Sequence, residues 1–221
     1  MKHFLVRLLS MITGLFLYAL GIVITIRANI GFAPWDVLHV GISNTIGLSI
    51  GTISIIVGMV LIIIIKIFGE KLGLGTISNM LLIGTFLDLI LKIDVIPKMD
   101  NFIFGLLMMI IGLFVISLGS FFYIRSAFST GPRDSLMVVL AKKTKIPVGI
   151  CRSIIELSVT IIGWLLGGMA GIGTIIFVIG IGFCIQLVFK TLKFDVTTIK
   201  HESISDTFAV IIGRPQKQPG K

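Results

Sequence analysis

Two ionisable side chains lie inside an apolar stretch, where charge is costly. Arg152 and Glu156 are four residues apart in the run 148–166, so they share one face if that run is a helix. A charged side chain at the centre of a membrane helix costs about 2.5–3.5 kcal/mol on insertion scales, and it normally faces a bundle interior or water. The pair is therefore either a neutralised structural ion pair or part of a site that binds a substrate or a proton.

A second set of carboxylates follows two prolines. Pro34 and Asp36 recur as Pro132 and Asp134, at a spacing of 98 (132 − 34 and 134 − 36). Proline suits the first position of a helix, and a carboxylate at the third position meets the positive end of the helix dipole. Each Pro-x-Asp is either an ordinary helix start or the start of a short re-entrant helix, whose carboxylate could bind a proton or a cation in a cavity.

Two more polar residues stand beside these carboxylates. His39 follows Asp36 by three residues, so the two side chains can touch on a helix and form a pH-sensitive pair. A histidine at the membrane interface is the simpler interpretation. Arg133 precedes Asp134, at the position that Trp35 occupies in the first copy. We assign Trp35 to an aromatic belt at the outer interface, and we add His39 and Arg133 to the candidate substrate- or ion-binding residues.

The same spacing extends over most of the chain, which indicates an internal duplication. Matches at glycine, threonine, arginine and lysine carry the argument, because apolar matches mean little in so hydrophobic a chain. They pair Gly14 with Gly112, Gly21 with Gly119, Arg27 with Arg125, Gly51 with Gly149, Gly75-Thr76 with Gly173-Thr174, Gly84 with Gly182 and Lys92 with Lys190. The copies cover 6–92 and 104–190, and they predict one membrane domain followed by a cytoplasmic tail over 193–221.

Composition places the duplicated chain in a membrane. The 221 residues are 56% hydrophobic and 13% charged, against about 25% charged in soluble domains. Six apolar runs reach or approach the roughly 20 residues of a spanning helix: 6–26, 50–68, 74–91, 102–124, 148–166 and 172–189. The segments 34–48 and 132–146 are too short to span, because 15 residues of helix reach only about 22 Å.

Basic residues set the expected orientation. With both termini on the cytoplasmic side, the inner segments carry most of the lysines and arginines, and the outer segments carry Arg27, Lys92 and Lys98. This bias follows the positive-inside rule, and it accounts for the net charge of +9 without a nucleic-acid partner. Pro34 and Pro132 are separated by three crossings, so the two short segments start on opposite sides of the bilayer.

The expected fold is therefore all-α. It is a polytopic membrane helix bundle of six spans, built as two inverted three-span repeats, and each repeat has an extra short helix that is either re-entrant or interfacial. Many secondary transporters are built as inverted repeats with a binding site near the midplane. In the basic tail, the apolar cluster 208–212 predicts a short interfacial helix.

Several other residues have structural interpretations. Gly75-Thr76 and Gly173-Thr174 are not phosphate loops, since no lysine follows the threonine; we expect a tight turn and a threonine N-cap at the start of the third span of each copy. Asp88 has Lys92 four residues later, which predicts an ion pair at the rim. Cysteines and histidines form no metal-ligand pattern, so neither a metal nor another cofactor is expected.

The chain resembles the YczE/YyaS/YitT group of bacterial integral membrane proteins, and most of all its YczE branch. The resemblance covers about residues 5–205 and rests on the stretches 31–39 (GFAPWDVLH), 131–137 (GPRDSLM), 152–156 (RSIIE) and 163–168 (GWLLGG). It implies a multi-span protein of the bacterial cytoplasmic membrane. It implies no settled activity, so no catalytic residue carries over.

The favoured function is a small secondary transporter or permease-like protein, which moves an unknown small molecule or ion across the lipid bilayer and could act as a homodimer. One alternative is a non-transporting membrane accessory that supports a partner protein. Another is the substrate-capture subunit of a multi-component uptake system. An enzyme is not expected, because the spans hold no nucleophile–base pair and no metal cluster.

Overall fold

The computed structural model describes residues 2–70, 72–195, 199 and 202, and every regular element in these ranges is a helix. In chain order the helices are α1 (Lys2–Arg27), α2 (Pro34–Ile46), α3 (Ile50–Ile67), α4 (Leu74–Ile93), α5 (Phe102–Arg125), α6 (Pro132–Thr144), α7 (Val148–Leu165) and α8 (Ile172–Thr191). All but α2 and α6 are long and apolar enough to cross a membrane. The predicted all-α membrane bundle with six spans is confirmed. The helix predicted at 208–212 lies outside the described residues.

Helix boundaries repeat at the spacing that the sequence predicts. From the end of α1 to the end of α4, each boundary lies 98 residues before its counterpart in the second half of the chain (125 − 27, 132 − 34). The matched boundaries are Arg27 and Arg125, Pro34 and Pro132, Ile46 and Thr144, Ile50 and Val148, Ile67 and Leu165, Leu74 and Ile172, and Ile93 and Thr191. Pro34 and Pro132 are the first residues of the two short helices, as expected from proline at this position.

The first spans of the two copies, α1 and α5, pack antiparallel along their lengths. Near the start of α1, Arg7 Nε donates to the Ser126 carbonyl oxygen at 2.8 Å, just beyond the end of α5. At the other end, the Met99 N–H donates to the Arg27 carbonyl oxygen at 2.9 Å. The two bonds place the start of one helix beside the end of the other.

Glycines allow α1 and α5 to approach closely. A Cβ on Gly14 would lie 2.8 Å from the Gly119 carbonyl oxygen, and one on Gly21 would lie 3.0 Å from the Gly112 carbonyl oxygen. Small residues at such contacts let membrane helices pack backbone to backbone. The two contacts are equivalent in the repeat, because Gly14 of the first copy corresponds to Gly112 of the second and Gly21 corresponds to Gly119 (spacing of 98).

A pair of equivalent hydrogen bonds joins the third span of each copy, α4 or α8, to the loop that follows the first span of the other copy. The Gly75 N–H at the start of α4 donates to the Phe128 carbonyl oxygen at 3.0 Å, and the Gly173 N–H at the start of α8 donates to the Ile30 carbonyl oxygen at 2.8 Å. Exchange of equivalent contacts is what two copies related by a two-fold axis produce. We infer from it the pseudo-two-fold relation that an inverted duplication predicts.

The start of the third span differs from the prediction in one respect. The N-caps of α4 and α8 are Gly73 and Gly171, so Thr76 and Thr174 stand at the third helical position and the predicted threonine N-cap is wrong. The Thr76 hydroxyl donates to the Thr130 carbonyl oxygen at 2.8 Å, while the Thr174 hydroxyl accepts from the Gly171 N–H at 3.1 Å. Glycine occupies the cap because the loop of the other copy passes against it: a Cβ on Gly73 would lie 2.5 Å from the Phe128 carbonyl oxygen.

Asp88 also departs from its prediction. Its carboxylate accepts hydrogen bonds from the Gly51 N–H at 2.8 Å and from the Ser49 hydroxyl, both at the start of α3. Asp88 therefore binds the unpaired N–H end of a neighbouring helix instead of Lys92, and the predicted rim ion pair is wrong. A helix N-terminus offers the carboxylate a directed hydrogen bond and the positive end of a dipole together.

Candidate functional site

The two short helices begin near each other and end at opposite ends of the bundle. The prediction that they start on opposite sides of the bilayer is wrong, because the loop before each helix turns into the bundle before the helix begins. At the end of α2, Asn44 Nδ2 donates to the Gly167 carbonyl oxygen at 3.2 Å, in the α7–α8 turn. At the end of α6, Lys142 Nζ pairs with Glu70 Oε1 at 2.5 Å, in the α3–α4 turn. At their starts, the Arg133 guanidinium lies over the Trp35 ring. Each short helix thus comes from its own end of the bundle, and the two meet inside it.

Trp35 is consequently not where the sequence interpretation placed it. The predicted position in an outer aromatic belt is wrong, because the indole is buried. It packs in a hydrophobic cluster whose other buried members are Leu61, Ile65, Leu136, Val139 and Val159. A belt position is expected of a tryptophan at a membrane boundary, but here the chain turns inward before the helix starts.

A cavity of about 340 Å³ lies where the two short helices meet. Equivalent positions of the two copies line it in pairs: Trp35 and Arg133, Asp36 and Asp134, His39 and Met137, Ser54 and Arg152, Gly58 and Glu156, Asn79 and Phe177. All six candidate binding residues of the sequence analysis therefore reach one cavity. Tyr18 and Asn79 also line it, and the sequence analysis missed both, although an asparagine inside an apolar run could have been noticed.

The start of α2 presents polar atoms that are buried and unpaired. Asp36 and His39 are 2% and 1% exposed, and His39 Nδ1 lies 3.6 Å from Asp36 Oδ1, beyond hydrogen-bond distance. Within the described part of the chain, Asp36 Oδ1, both ring nitrogens of His39 and Trp35 Nε1 have no hydrogen-bond partner. The interpretation of His39 as an interfacial residue is wrong, because the side chain is enclosed by the bundle.

The second copy contributes the ion pair that the sequence suggested. Arg152 Nε and Glu156 Oε1 lie 2.8 Å apart, one turn apart on α7. Both side chains line the cavity beside Asp134 of α6. Arg152 and Arg133 lie within electrostatic range of the Asp134 carboxylate. The pair is therefore formed, and it stands in the wall of the candidate site.

Exposure of the cavity wall differs between the copies. Arg152 has a side chain that is 49% exposed, whereas its equivalent Ser54 is 8% exposed. Asp134 is exposed, whereas its equivalent Asp36 is buried. Among the described residues that line the cavity, Asp134 and Arg152 are the exposed ones. The accessible part of the cavity wall thus lies on α6 and α7, whereas the part on α2 is buried.

Counted with every carboxylate ionised, the charges of the wall do not cancel. Within the described lining residues there are three carboxylates and two guanidiniums, which leaves one negative charge when His39 is neutral (2 − 3 = −1). The carboxylates are Asp36, Asp134 and Glu156, and the guanidiniums are Arg133 and Arg152. An uncompensated charge inside a bundle is costly, so the cavity favours a ligand, or part of one, that is positive.

Comparison with known proteins agrees with the membrane architecture. Residues 5–190 match a family described as a family of unknown function, DUF6198. An uncharacterized protein of Haemophilus influenzae is 32% identical over 180 residues, which cover 78% of this chain and 81% of that protein. The uncharacterized membrane protein YczE of Bacillus subtilis is 32% identical over 175 residues, covering 78% and 80%.

The uncharacterized protein YyaS of Bacillus subtilis is 29% identical over 166 residues, which cover 74% of this chain and 82% of that protein. No solved structure matches the chain. The resemblance to YczE and YyaS is thereby confirmed. The chain belongs to the family of unknown function DUF6198, and it is an integral membrane protein that crosses the membrane several times.

Proposed function

We propose that this protein is a small secondary transporter that binds a small polar or charged solute in the cavity between α2 and α6. One observation carries the proposal: equivalent residues of both copies build a single cavity, and charged residues of both signs line it. Ionisable groups in membrane bundles are rare because they are costly, and they mark pathways for substrates or ions. Inverted repeats commonly bind their substrate at the interface of the two repeats.

The helix starts add a dipole to the site. Each start is the positive end of its helix, while at α2 the Asp36 and Val37 N–H groups already donate to the Ala33 carbonyl oxygen at 2.8 Å. Within the described residues, no side chain caps the start of α2 at Ala33 or of α6 at Gly131. The volume, about 340 Å³, lies at the lower end of the roughly 300–1,000 Å³ typical of small-molecule sites. The solute is therefore small.

The difference between the copies supports alternating access. The cavity wall is accessible at Asp134 and Arg152 and buried at Asp36 and Ser54. Lys142, at the end of α6, belongs to the basic face that the positive-inside rule assigns to the cytoplasm. The present arrangement is then open to the inside, with both termini cytoplasmic. A state open to the outside would have the reverse arrangement, in which the cavity wall on α6 is buried and the wall on α2 is accessible.

The rival functions fit the geometry less well. A non-transporting accessory predicts an unbroken apolar interior, whereas the described interior holds a charged cavity. A capture subunit predicts a site accessible from the outside, whereas the accessible part of this wall lies on α7 and on the helix that ends in Lys142 and Lys143. Neither rival explains why polar atoms of both copies converge.

Flux in proteoliposomes tests the proposal. Purified protein would be reconstituted and offered a panel of radiolabelled amino acids, amines, carboxylates and nucleosides. We expect uptake of at least one class above that of protein-free vesicles, and loss of that uptake in Glu156→Gln and in Asp134→Asn. The matched control is Glu70→Gln, which removes a carboxylate that pairs with Lys142 outside the cavity and should leave uptake unchanged.

A cysteine probe tests the same proposal without a known solute. Asn79 lines the cavity from α4, so Asn79→Cys, in a background without Cys151 and Cys184, should react with a membrane-impermeant maleimide. A carrier predicts reaction from both sides of sealed membranes, in different states. If the cysteine reacts from neither side of the membrane, the cavity is not accessible, and the non-transporting accessory is favoured.

A further inference from the structure

We propose that Asp36 and His39, at the start of α2, form the binding site for one exchangeable proton, and that this proton is the ion that the protein moves together with its solute. The coupling half of this inference rests on the proposed transport function. The proton site itself rests on the geometry of α2 and on the residues of the cavity wall.

The Asp36 carboxylate and the His39 imidazole face each other at slightly more than hydrogen-bond distance. They are almost fully buried, with His39 Nδ1 3.6 Å from Asp36 Oδ1. Within the described part of the chain, these atoms and His39 Nε2 have no other hydrogen-bond partner. A proton on the imidazole would give the carboxylate a charged donor, and such bonds contract to about 2.7–2.9 Å. Less than an ångström of side-chain movement is therefore enough to bind the proton.

By formal charge, the cavity wall can accept one added positive charge. The other charged and titratable groups that line the same cavity are Tyr18 of α1, Tyr123 of α5, Arg133 and Asp134 of α6, and Arg152 and Glu156 of α7, while the described part of α3 contributes the hydroxyl of Ser54. Taken with Asp36, and with every carboxylate counted as ionised, the wall carries one net negative charge when His39 is neutral. One proton on the Asp36–His39 pair brings that sum to zero.

A difference between the two copies places the proposed proton site in the first copy. The position equivalent to His39 is Met137, which cannot hold a proton. Asp134 is in the accessible part of the wall, within electrostatic range of Arg152 and Arg133. The second copy thus holds accessible charged groups suited to a solute, whereas the first holds a sealed acid–base pair.

The chain contains a reporter for this site. It has two tryptophans, and Trp164 is exposed on α7 while Trp35 is buried. Trp35 and His39 are four residues apart on α2, hence on one face. Because a protonated imidazole quenches indole fluorescence, Trp164→Phe would leave Trp35 as a single reporter of the charge on His39.

The test is a pH titration of Trp35 fluorescence in purified Trp164→Phe protein in detergent. We expect a reversible one-proton transition between about pH 4 and pH 8, the range that spans the ordinary pKa values of aspartate and histidine. His39→Gln should abolish it, and Asp36→Asn should move its midpoint by at least one pH unit. His3→Gln and His201→Gln, which change the other histidines, should leave it unchanged.

The outcomes separate cleanly. A flat titration, or the same transition in His39→Gln, would overturn the proton site. Circular dichroism and thermal unfolding at pH 7 would show whether each variant is folded. If Asp36→Asn does not fold, the titration of His39→Gln alone tests the proton site. Proteoliposomes test the coupling: an inward proton gradient should accelerate solute uptake in wild type but not in His39→Gln. If uptake in wild type does not depend on the proton gradient, the coupling is wrong but the transport function is not. If no solute is taken up at all, the proposed function is wrong, and the fluorescence titration still tests the proton site.

Discussion

The guanidinium carbon of Arg133 lies 5.1 Å from the centre of the Trp35 indole ring. These residues occupy the same position in the two copies of the duplicated sequence (133 − 35 = 98). Their contact joins the starts of two short helices whose ends lie at opposite ends of the bundle. It therefore marks the place where the copies meet, and the candidate site is built around it.

Loss of this contact should be measurable. A cation–π pair contributes about 0.5–1 kcal/mol when exposed and about 2 kcal/mol or more when desolvated. We expect Arg133→Gln to lower the midpoint of thermal unfolding in detergent and to shift Trp35 emission in the Trp164→Phe background. Arg133→Lys should retain part of the effect. The control is Arg125→Gln, since Arg125 lies over Phe121 away from the cavity; an equal loss there would argue against a special role of the central contact.

Equivalent positions on the short helices should face opposite compartments. Asn44 and Lys142 are 98 residues apart (142 − 44) and lie at the ends of α2 and α6. In a background without Cys151 and Cys184, Asn44→Cys should react with an impermeant maleimide only from the outside of intact cells. Lys142→Cys should react only after the cells are opened. Modification of both from one side would exclude the inverted arrangement.

The two sides of the cavity should differ in reactivity. Because Ser54 is buried and its equivalent Arg152 is half exposed, Ser54→Cys should react with a water-soluble thiol reagent several-fold more slowly than Arg152→Cys in purified protein. A solute or a mutation that favours the opposite state should reverse the order. Equal rates in every condition would be incompatible with a cavity that opens on one side at a time.

Packing of α1 against α5 predicts the cost of a single methyl group. A Cβ on Gly119 would lie 2.8 Å from the Gly14 carbonyl oxygen, which is backbone and cannot rotate away. Overpacking of this kind costs about 1–3 kcal/mol, so Gly119→Ala should lower the unfolding midpoint. At Gly182 in α8 a Cβ would meet nothing within 4 Å. Gly182→Ala should therefore be neutral or slightly stabilising, and a similar loss at both sites would refute the packing argument.

Asp88 should behave as a helix cap. Asp88→Ala removes the hydrogen bonds to the Gly51 N–H and the Ser49 hydroxyl, and loss of such a cap costs about 0.5–2 kcal/mol. Lys92→Ala should cost less, because the carboxylate is engaged at the start of α3. Thermal unfolding of the two variants side by side checks this. A larger loss in Lys92→Ala would restore the ion pair that the sequence spacing suggests.

Much of the fold could be predicted because duplication leaves marks at residues with strict backbone roles. Proline at a helix start and glycine at a close helix contact are needed at the same place in both copies. Their common spacing therefore located the helices closely, and hydrophobic length distinguished the six spans from α2 and α6. Local rules were less reliable for Asp88 and Thr76, because partners from other parts of the chain compete for the same side chains.

The sequence by itself determined the membrane class, the repeat, the helices and the six polar residues that could bind a ligand. Only the tertiary structure decided that these six share one cavity, that Trp35 and His39 are buried, and that Asp134 and Arg152 are accessible while their equivalents Asp36 and Ser54 are buried. The physical reason is that spacing along a chain specifies which side chains share a helix face. The direction in which a short helix turns after its loop depends instead on contacts between residues far apart in sequence, and here that direction brings Asp36 and Asp134 to the same cavity.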